Sequence, residues 1–434
     1  MQADAVVIGA GVIGSCVALE LSRRGVNVVC VDKHAAAGYG STSSSSAVIR
    51  FHYSTEAGVA MSVEGARYWL DWPAHIGIEQ PALAEFVRVP MLAMKTPEKP
   101  WTELMERLER MGMPFEDLTQ AQLVDRFPAM DFRRFGPPAR LDDTDAAFWG
   151  EPTAEHDGAV IMTEAGYITD PSLAAQNAAN AAAAAGCTFV FRRSVIAIDR
   201  ADDRVAGVTL DDGSAIAAPV VVNVAGPHSS VINAMAGVTA DMSMPTRPMR
   251  REVFVVPAPR GVDFEADGAM IGDLDVGTYF RPERGNNVLI GSQEPDCDEL
   301  EWVDDPDHYD ESLDEDEYQL LVLRTARRVR ELGVPPTKRG LVSLYDATED
   351  WTPIYDRSLL DGFYLACGTS GNQFKNAPIA GHCMAELITA VEDGHDHDAE
   401  PLVVTGKYSG VQIDLGTFRR RRVLTADSAS TVQG

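Results

Sequence analysis

Positive charge is scarce in this chain of 434 residues. Lys and Arg number 37 against 65 Asp and Glu, a formal net charge of −28 with His neutral. Binding to nucleic acid or an anionic membrane needs a positive field, so this balance argues against both partners. The six cysteines, at 16, 30, 187, 297, 367 and 383, include no CxxC pair and no His/Cys cluster at zinc spacing. Reduced, mostly buried thiols and no metal site are expected. No apolar run reaches the roughly 20 residues of a membrane span. The first strand begins at Ala3 with no charged leader before it, so no signal peptide is expected and the location reads as cytoplasmic. Hydrophobic residues nonetheless make up 45% of the chain and charged residues 24%, enough to bury a sizeable core.

The opening residues are informative. Residues 3–9 read as a short apolar strand, Gly14–Arg24 as a helix closed by Gly25, and Val26–Val31 as a second strand ending at Asp32. The loop of this βαβ unit is Gly9-Ala10-Gly11-Val12-Ile13-Gly14, and Asp32 follows the third glycine by 18 positions. A lone GxGxxG is weak, but one that leaves a strand, opens a helix and precedes an acidic residue at a strand end marks a dinucleotide site. Gly9 permits the turn, Gly11 lets the diphosphate approach the backbone, and Gly14 lets the helix pack closely. The backbone N–H groups of Val12 and Ile13 open the helix toward the phosphates. Asp32, followed by Lys33, suits ribose hydroxyls and disfavours a 2′-phosphate.

The motif itself leaves FAD and NAD open. The stretch Gly38–Arg50 follows, rich in small and hydroxyl-bearing residues, with Ser41, Thr42, Ser43 and Ser46 suited to close passage along a long diphosphate cofactor. An NAD-type fold would normally begin its next βα unit here; a flexible serine-rich linker is the bland reading, against which the ending Val48-Ile49-Arg50 counts.

Further along, 56–72 and 101–111 read as helices. Asp170 and Pro171 cap and start an alanine-rich helix over 172–185. Strands are expected at 187–191, 195–199, 205–210 and 220–224, and those at 250–256, 269–271 and 277–292 belong to another sheet. More than half of the residues from Glu294 to Glu317 are Asp or Glu. They lack EF-hand spacing, so a solvated insertion is expected. Residues 318–332 read as an amphipathic helix, 341–345 and 362–367 as strands, 376–391 as a last helix, and Arg419–Arg422 as a solvated tail.

Four signatures in order resemble the D-amino-acid oxidase superfamily of FAD enzymes, nearest its sarcosine oxidase and dimethylglycine dehydrogenase branch. They are Gly9–Asp32; the hydroxyl-rich loop ending Val48-Ile49-Arg50-Phe51-His52-Tyr53; the Gly166–Pro171 turn with its helix; and Gly368-Thr369-Ser370-Gly371-Asn372-Gln373-Phe374-Lys375. The resemblance implies an α/β fold, with a Rossmann-like FAD-binding domain and an inserted antiparallel β-sheet substrate domain. The FAD part would span 1–80, 150–245 and 335–434, and the substrate part 81–149 and 246–334. It implies that Val195 meets the adenine with its backbone and that Ala225-Gly226 form a small turn beside the cofactor. Gly371, Asn372, Gln373, Phe374 and Lys375 would lie along the flavin.

The implied activity is oxidation of the C–N bond of a small secondary or N-methylated amino acid, with O2, an acceptor protein or a dye taking the electrons. The alternatives are a primary amino-acid oxidase of the glycine or D-amino-acid type, and a flavin-bearing subunit of a heteromeric amine dehydrogenase. The oligomeric state stays open. Arg50 and Lys375 match the two carboxylate-binding positions, Tyr279 the tyrosine that overhangs the substrate, and His52 shares a face with Arg50. Arg281 either adds a carboxylate contact or pairs with Glu283, and the latter is expected. Ser343 and Ser43–Ser46 stand where relatives carry a flavin-linking Cys or His, so non-covalent FAD is expected. Leu289 stands where monomeric sarcosine oxidases carry an oxygen-activating lysine, which favours a dehydrogenase. A C-terminal folate-binding domain is not expected.

Overall fold

In a computed structural model of the chain, which describes residues 1–96, 101–141 and 148–423, strand Ala5–Ile8 lies inside a six-stranded sheet. Residues 97–100 and 142–147 of the expected substrate part, and 424–434 of the expected FAD part, lie outside the described residues. The strand pairs in parallel with Val28–Asp32 on one side and Val220–Asn223 on the other. Thr188–Phe191 and Phe363–Cys367 extend the parallel run, and Ile354–Arg357 closes one edge antiparallel. All four residues of strand Ala5–Ile8 are buried, as a strand covered on both faces must be. Helices Val12–Arg23, Pro171–Ala184 and Ala377–Glu392 pack together on one face. Their small residues permit this: a Cβ on Gly381 would come within 2.7 Å of the Cys16 backbone. Asp170 caps the alanine-rich helix as expected, its carboxylate accepting from Leu173 N at 2.9 Å.

The second sheet has eight strands. Its order runs Gly340–Ala347, Arg247–Pro257, Asn287–Ser292, Thr278–Glu283, Met270–Asp273, Met91–Met94, Ala159–Met162, Phe115–Leu118. One face carries Phe254, Val256, Ile271, Phe280, Val288 and Ile290 into a core under helix Glu315–Arg328. By strand alternation the other face carries Arg251, Tyr279, Arg281, Leu289, Gly291, Ser343 and Tyr345. Ala159–Met162 and Gly340–Ala347, which the expected division gives to the FAD part, pair within this sheet.

One sequence expectation is corrected by burial. Arg419–Arg422 is not a solvated tail. Arg420 is 1% exposed and bonds Asp356 at 3.0 Å and Asp398 at 2.8 Å, with Asp241 on its Nε. Arg422 bonds Asp350 at 2.6 Å. The acidic segment is largely solvent-exposed as expected, but it is anchored along its length. Its start is buried at Glu294, its end forms the first turn of helix Glu315–Arg328 capped by Asp314, and Arg324 and Arg250 hold the stretch between at Asp298 and Glu301. Five of the six cysteines are buried, Cys297 is half-buried, and all six are free thiols. No helix among the described residues is long and apolar enough to cross a membrane.

Candidate active site

The dinucleotide loop has the shape its glycines dictate. Gly9 adopts φ +106°, and a Cβ there would lie 2.4 Å from the carbonyl oxygen of Val224. A Cβ on Gly14 would lie 1.9 Å from the Gly9 carbonyl oxygen. Gly11, at the N-cap of helix Val12–Arg23, has no side chain to cap it and its first turn carries no acid, so the positive end faces an anion site except where Thr42 takes the Val12 N–H. The Thr42 hydroxyl reaches this end and accepts from Val12 N at 3.0 Å. Asp32 is fixed by Ala10 N at 2.6 Å and His34 N at 2.7 Å. Arg193 N donates to the Asp32 carbonyl at 3.2 Å, which brings the chain entering Val195 alongside the acid. Ala225-Gly226 follow Val224 and so abut Gly9. A diphosphate-linked dinucleotide fits these residues: an open helix N-terminus, a loop where side chains would collide, and a fixed carboxylate at the strand end. Lys33 instead contacts His228 at 2.9 Å and forms an ion pair with Asp307.

The hydroxyl-rich loop bridges the two sheets. Ser41 donates to the Leu344 carbonyl at 2.7 Å, Ser43 caps back onto Gly40 at 2.8 Å, and the Ser46 hydroxyl lies 2.8 Å from that of Tyr279. Its continuation brings Arg50 inward, 7% exposed, with its guanidinium 4.5 Å from the Tyr53 ring centre. Lys375, 2% exposed, stands over the same ring at 5.1 Å and donates to the Asn372 carbonyl at 2.6 Å. Two buried cations therefore share one aromatic ring. Among the described residues no carboxylate is within ion-pair distance of Lys375. Burial, then the charge of Arg50, pushes the Lys375 amine well below the ordinary lysine range. Burial also lowers the Arg50 pKa.

The turn after strand Phe363–Cys367 presents Lys375. Gly371 adopts φ +68° against the Tyr345 ring, and Phe374 stacks on Trp69 at 5.5 Å. Trp69 Nε1 holds the Lys375 carbonyl at 2.7 Å. The side chains of Asn372 and Gln373 brace the turn, to the Trp351 carbonyl at 3.0 Å and to Tyr355 at 3.2 Å and Asn376 at 2.8 Å. Beneath it, Asp346 accepts from Gly368 N, and burial pushes its carboxyl up to about 7.

Arg281 pairs with Glu283 at 2.9 Å and donates to the Ser46 carbonyl at 3.0 Å, as a structural partner should. His52 is 5% exposed, and a Cβ on Gly272 would lie 3.7 Å from its Nε2. Four residues on this side escaped sequence reasoning. Tyr345 lies on the site-facing side of the second sheet, its ring packed against Gly371. Tyr53 joins the two cations. Gln293 and Glu294 each bury a side-chain oxygen with no hydrogen-bond partner. Glu294 lies 2.8 Å from Arg251 Nε and adopts φ +51°, a strained conformation for that residue. Arg50-x-x-Tyr53 was readable as a pair; nothing local marks Gln293 or Glu294.

The family model for FAD dependent oxidoreductases (DAO) matches residues 4–387. The chain belongs to this family. It is an FAD-dependent oxidoreductase with a Rossmann-like FAD-binding fold. FAD-dependent oxidoreductase domain-containing protein 1 of Bos taurus is 30% identical over 186 residues, which cover 41% of this chain and 36% of that protein. The glycine oxidase of Geobacillus kaustophilus is 23% identical over 404 residues, or 91% of this chain and 94% of that one. Among solved structures, L-proline dehydrogenase from P. horikoshii aligns with a TM-score of 0.72 at 22% identity, covering 90% of this chain and 94% of that one. The match thus spans about a third of the bovine relative and nearly all of the glycine oxidase.

Proposed function

We propose that this FAD-dependent oxidoreductase oxidises the C–N bond of a small secondary or N-methylated amino acid. The observation that carries the reading is the buried pair Arg50 and Lys375 over Tyr53. Two cations in a dry site raise each other's energy, and a substrate carboxylate relieves both. Arg50 supplies a planar fork for that carboxylate and Lys375 a point charge beside it.

When bound, FAD accepts a hydride equivalent from the carbon next to nitrogen. The residues described here bind and orient. Asp32 and the Gly9–Gly14 loop hold the adenosine and diphosphate; Ser41, Thr42, Ser43 and Ser46 line the passage of the cofactor between the sheets. The carboxylate clamp fixes the substrate carbon, Tyr279 and Tyr345 close over it from the second sheet, and burial favours the neutral amine that oxidation requires. His52 and Gln293 border the same space beside Gly272. The amine loses a hydride from carbon to give an iminium ion, and water hydrolyses this to a carbonyl compound and an amine with release of one proton. Ser343 and Ser43–Ser46 offer no thiol or imidazole for a flavin link, which supports FAD held without a covalent bond. Leu289 puts no charge on the site-facing side of its strand, which favours an acceptor protein or dye over O2.

The test is dye-linked turnover by the isolated chain on a panel of N-methyl, cyclic and primary amino acids. Turnover of the first two groups supports the reading. Turnover of primary amino acids alone replaces it with a glycine-oxidase type of activity. Inactivity until partner chains are added makes the chain a subunit of a larger enzyme.

A further inference from the structure

The acidic stretch between Trp302 and Asp314 forms a strap with both ends fastened to one strand. At its start, Arg250 N donates to the Glu301 carbonyl at 2.8 Å and Arg250 Nη1 bonds the Glu301 carboxylate at 2.9 Å. At its end, the same guanidinium donates to the carbonyls of Asp310 and Ser312, each at 2.6 Å. The apex between is a tight turn in which Asp307 N is held by the Asp305 carboxylate at 2.9 Å.

That apex lands on the first sheet. Asp307 pairs with Lys33 and lies 3.1 Å from His228 Nε2, and Lys33 and His228 lie 2.9 Å apart. Lys33 follows the carboxyl end of strand Val28–Asp32; His228 ends the turn after strand Val220–Asn223. These two strands flank Ala5–Ile8, whose carboxyl end is the glycine loop. The two side chains therefore meet across the crevice in which an open parallel sheet binds its ligand.

We propose that this strap is the outer wall of the adenosine subsite, with Asp307 as the positioning residue that holds Lys33 and His228 across the bound cofactor. The inference rests on the FAD site assigned to the Gly9–Gly14 loop. It gives the acidic segment a specific partner, and it makes cofactor retention depend on an exposed, salt-sensitive contact.

The test follows FAD release from the holoprotein, read as recovery of free-flavin fluorescence after dilution. Asp307→Asn should release FAD about threefold to fivefold faster at low salt, the range an exposed ion pair supports. Added NaCl should speed release from the parent protein and leave the variant nearly unchanged. Asp307→Glu should restore slow release, and Asp304→Asn, which removes an equal charge at an exposed position nearby, should not alter it. Unchanged release in Asp307→Asn, or tighter FAD binding by it, overturns the proposal. Equal acceleration by Asp304→Asn also overturns it, since net charge would then suffice. A parent protein purified without flavin absorbance and unable to take up FAD would instead contradict the assignment of the FAD site.

Discussion

Two clusters of buried positive charge differ in what faces them. Around Arg420, 1% exposed, stand Asp241, Asp356 and Asp398, and Arg422 beside it meets Asp350. Around Lys375, 2% exposed, stand a tyrosine ring, a backbone carbonyl and a second cation, Arg50. The first cluster is complete within the protein and fastens the C-terminal segment to the first sheet. The second holds a lysine amine with no carboxylate within ion-pair distance among the described residues, which disfavours its charged form in the free protein and suits an anionic ligand. Equal burial thus serves different ends, and the identity of the partner decides which.

The largest effect separating the two is on stability. Arg420→Ala leaves three carboxylates without their shared cation and should cost about 3–5 kcal/mol in denaturant unfolding. Lys375→Met should act in the opposite direction. The native amine is pushed down, so between its native pKa and about 10.4 the unfolded chain holds a proton that the folded chain refuses. In that window the lysine costs stability, and removing it should stabilise the protein by roughly 1 kcal/mol, while its carboxylated substrates turn over far more slowly. A destabilised Lys375→Met would mean that this amine serves the fold.

The pH dependence sharpens the same contrast. Carboxylate binding needs charged Lys375, so KM should rise with pH along a limb well below the ordinary lysine range. Arg50 contributes to that depression, and Arg50→Ala should therefore move the limb to higher pH. An unmoved limb would show that the titration belongs to another group. A smaller effect concerns the flavin itself. Acid precipitation should release all the yellow colour into the supernatant, and colour kept in the pellet would reveal a covalent link that Ser343 and Ser43–Ser46 do not provide.

What could be read along the chain follows the same division between local and distant causes. The Gly9–Gly14 loop and the capped alanine-rich helix are marked by residues a few positions apart, and each stands where the pattern places it, although the fold holds the loop and Asp32 with partners further off. The Arg420 cluster joins residues 64 and 179 positions apart, and the strap pairs Asp307 with Lys33 across 274. No periodicity records such pairs, so runs of like charge looked solvated. Strand Gly340–Ala347 was legible as a strand over 341–345 but not by sheet, and Ala159–Met162 was not read at all, because sheet membership depends on partners far along the chain. The N-terminus of helix Glu315–Arg328 was legible and missed. Its Asp314-x-x-Glu317 start is a capping pattern hidden by the surrounding acids.

The most direct measurement is kcat/KM for a carboxylated amine and for its counterpart lacking the carboxylate, in the parent protein and in Arg50→Ala. The account predicts a loss of about a hundredfold or more on the carboxylated substrate, as for truncating one partner of a buried charge pair, with little change on the neutral amine. Equal losses on both would contradict the clamp formed by Arg50 and Lys375.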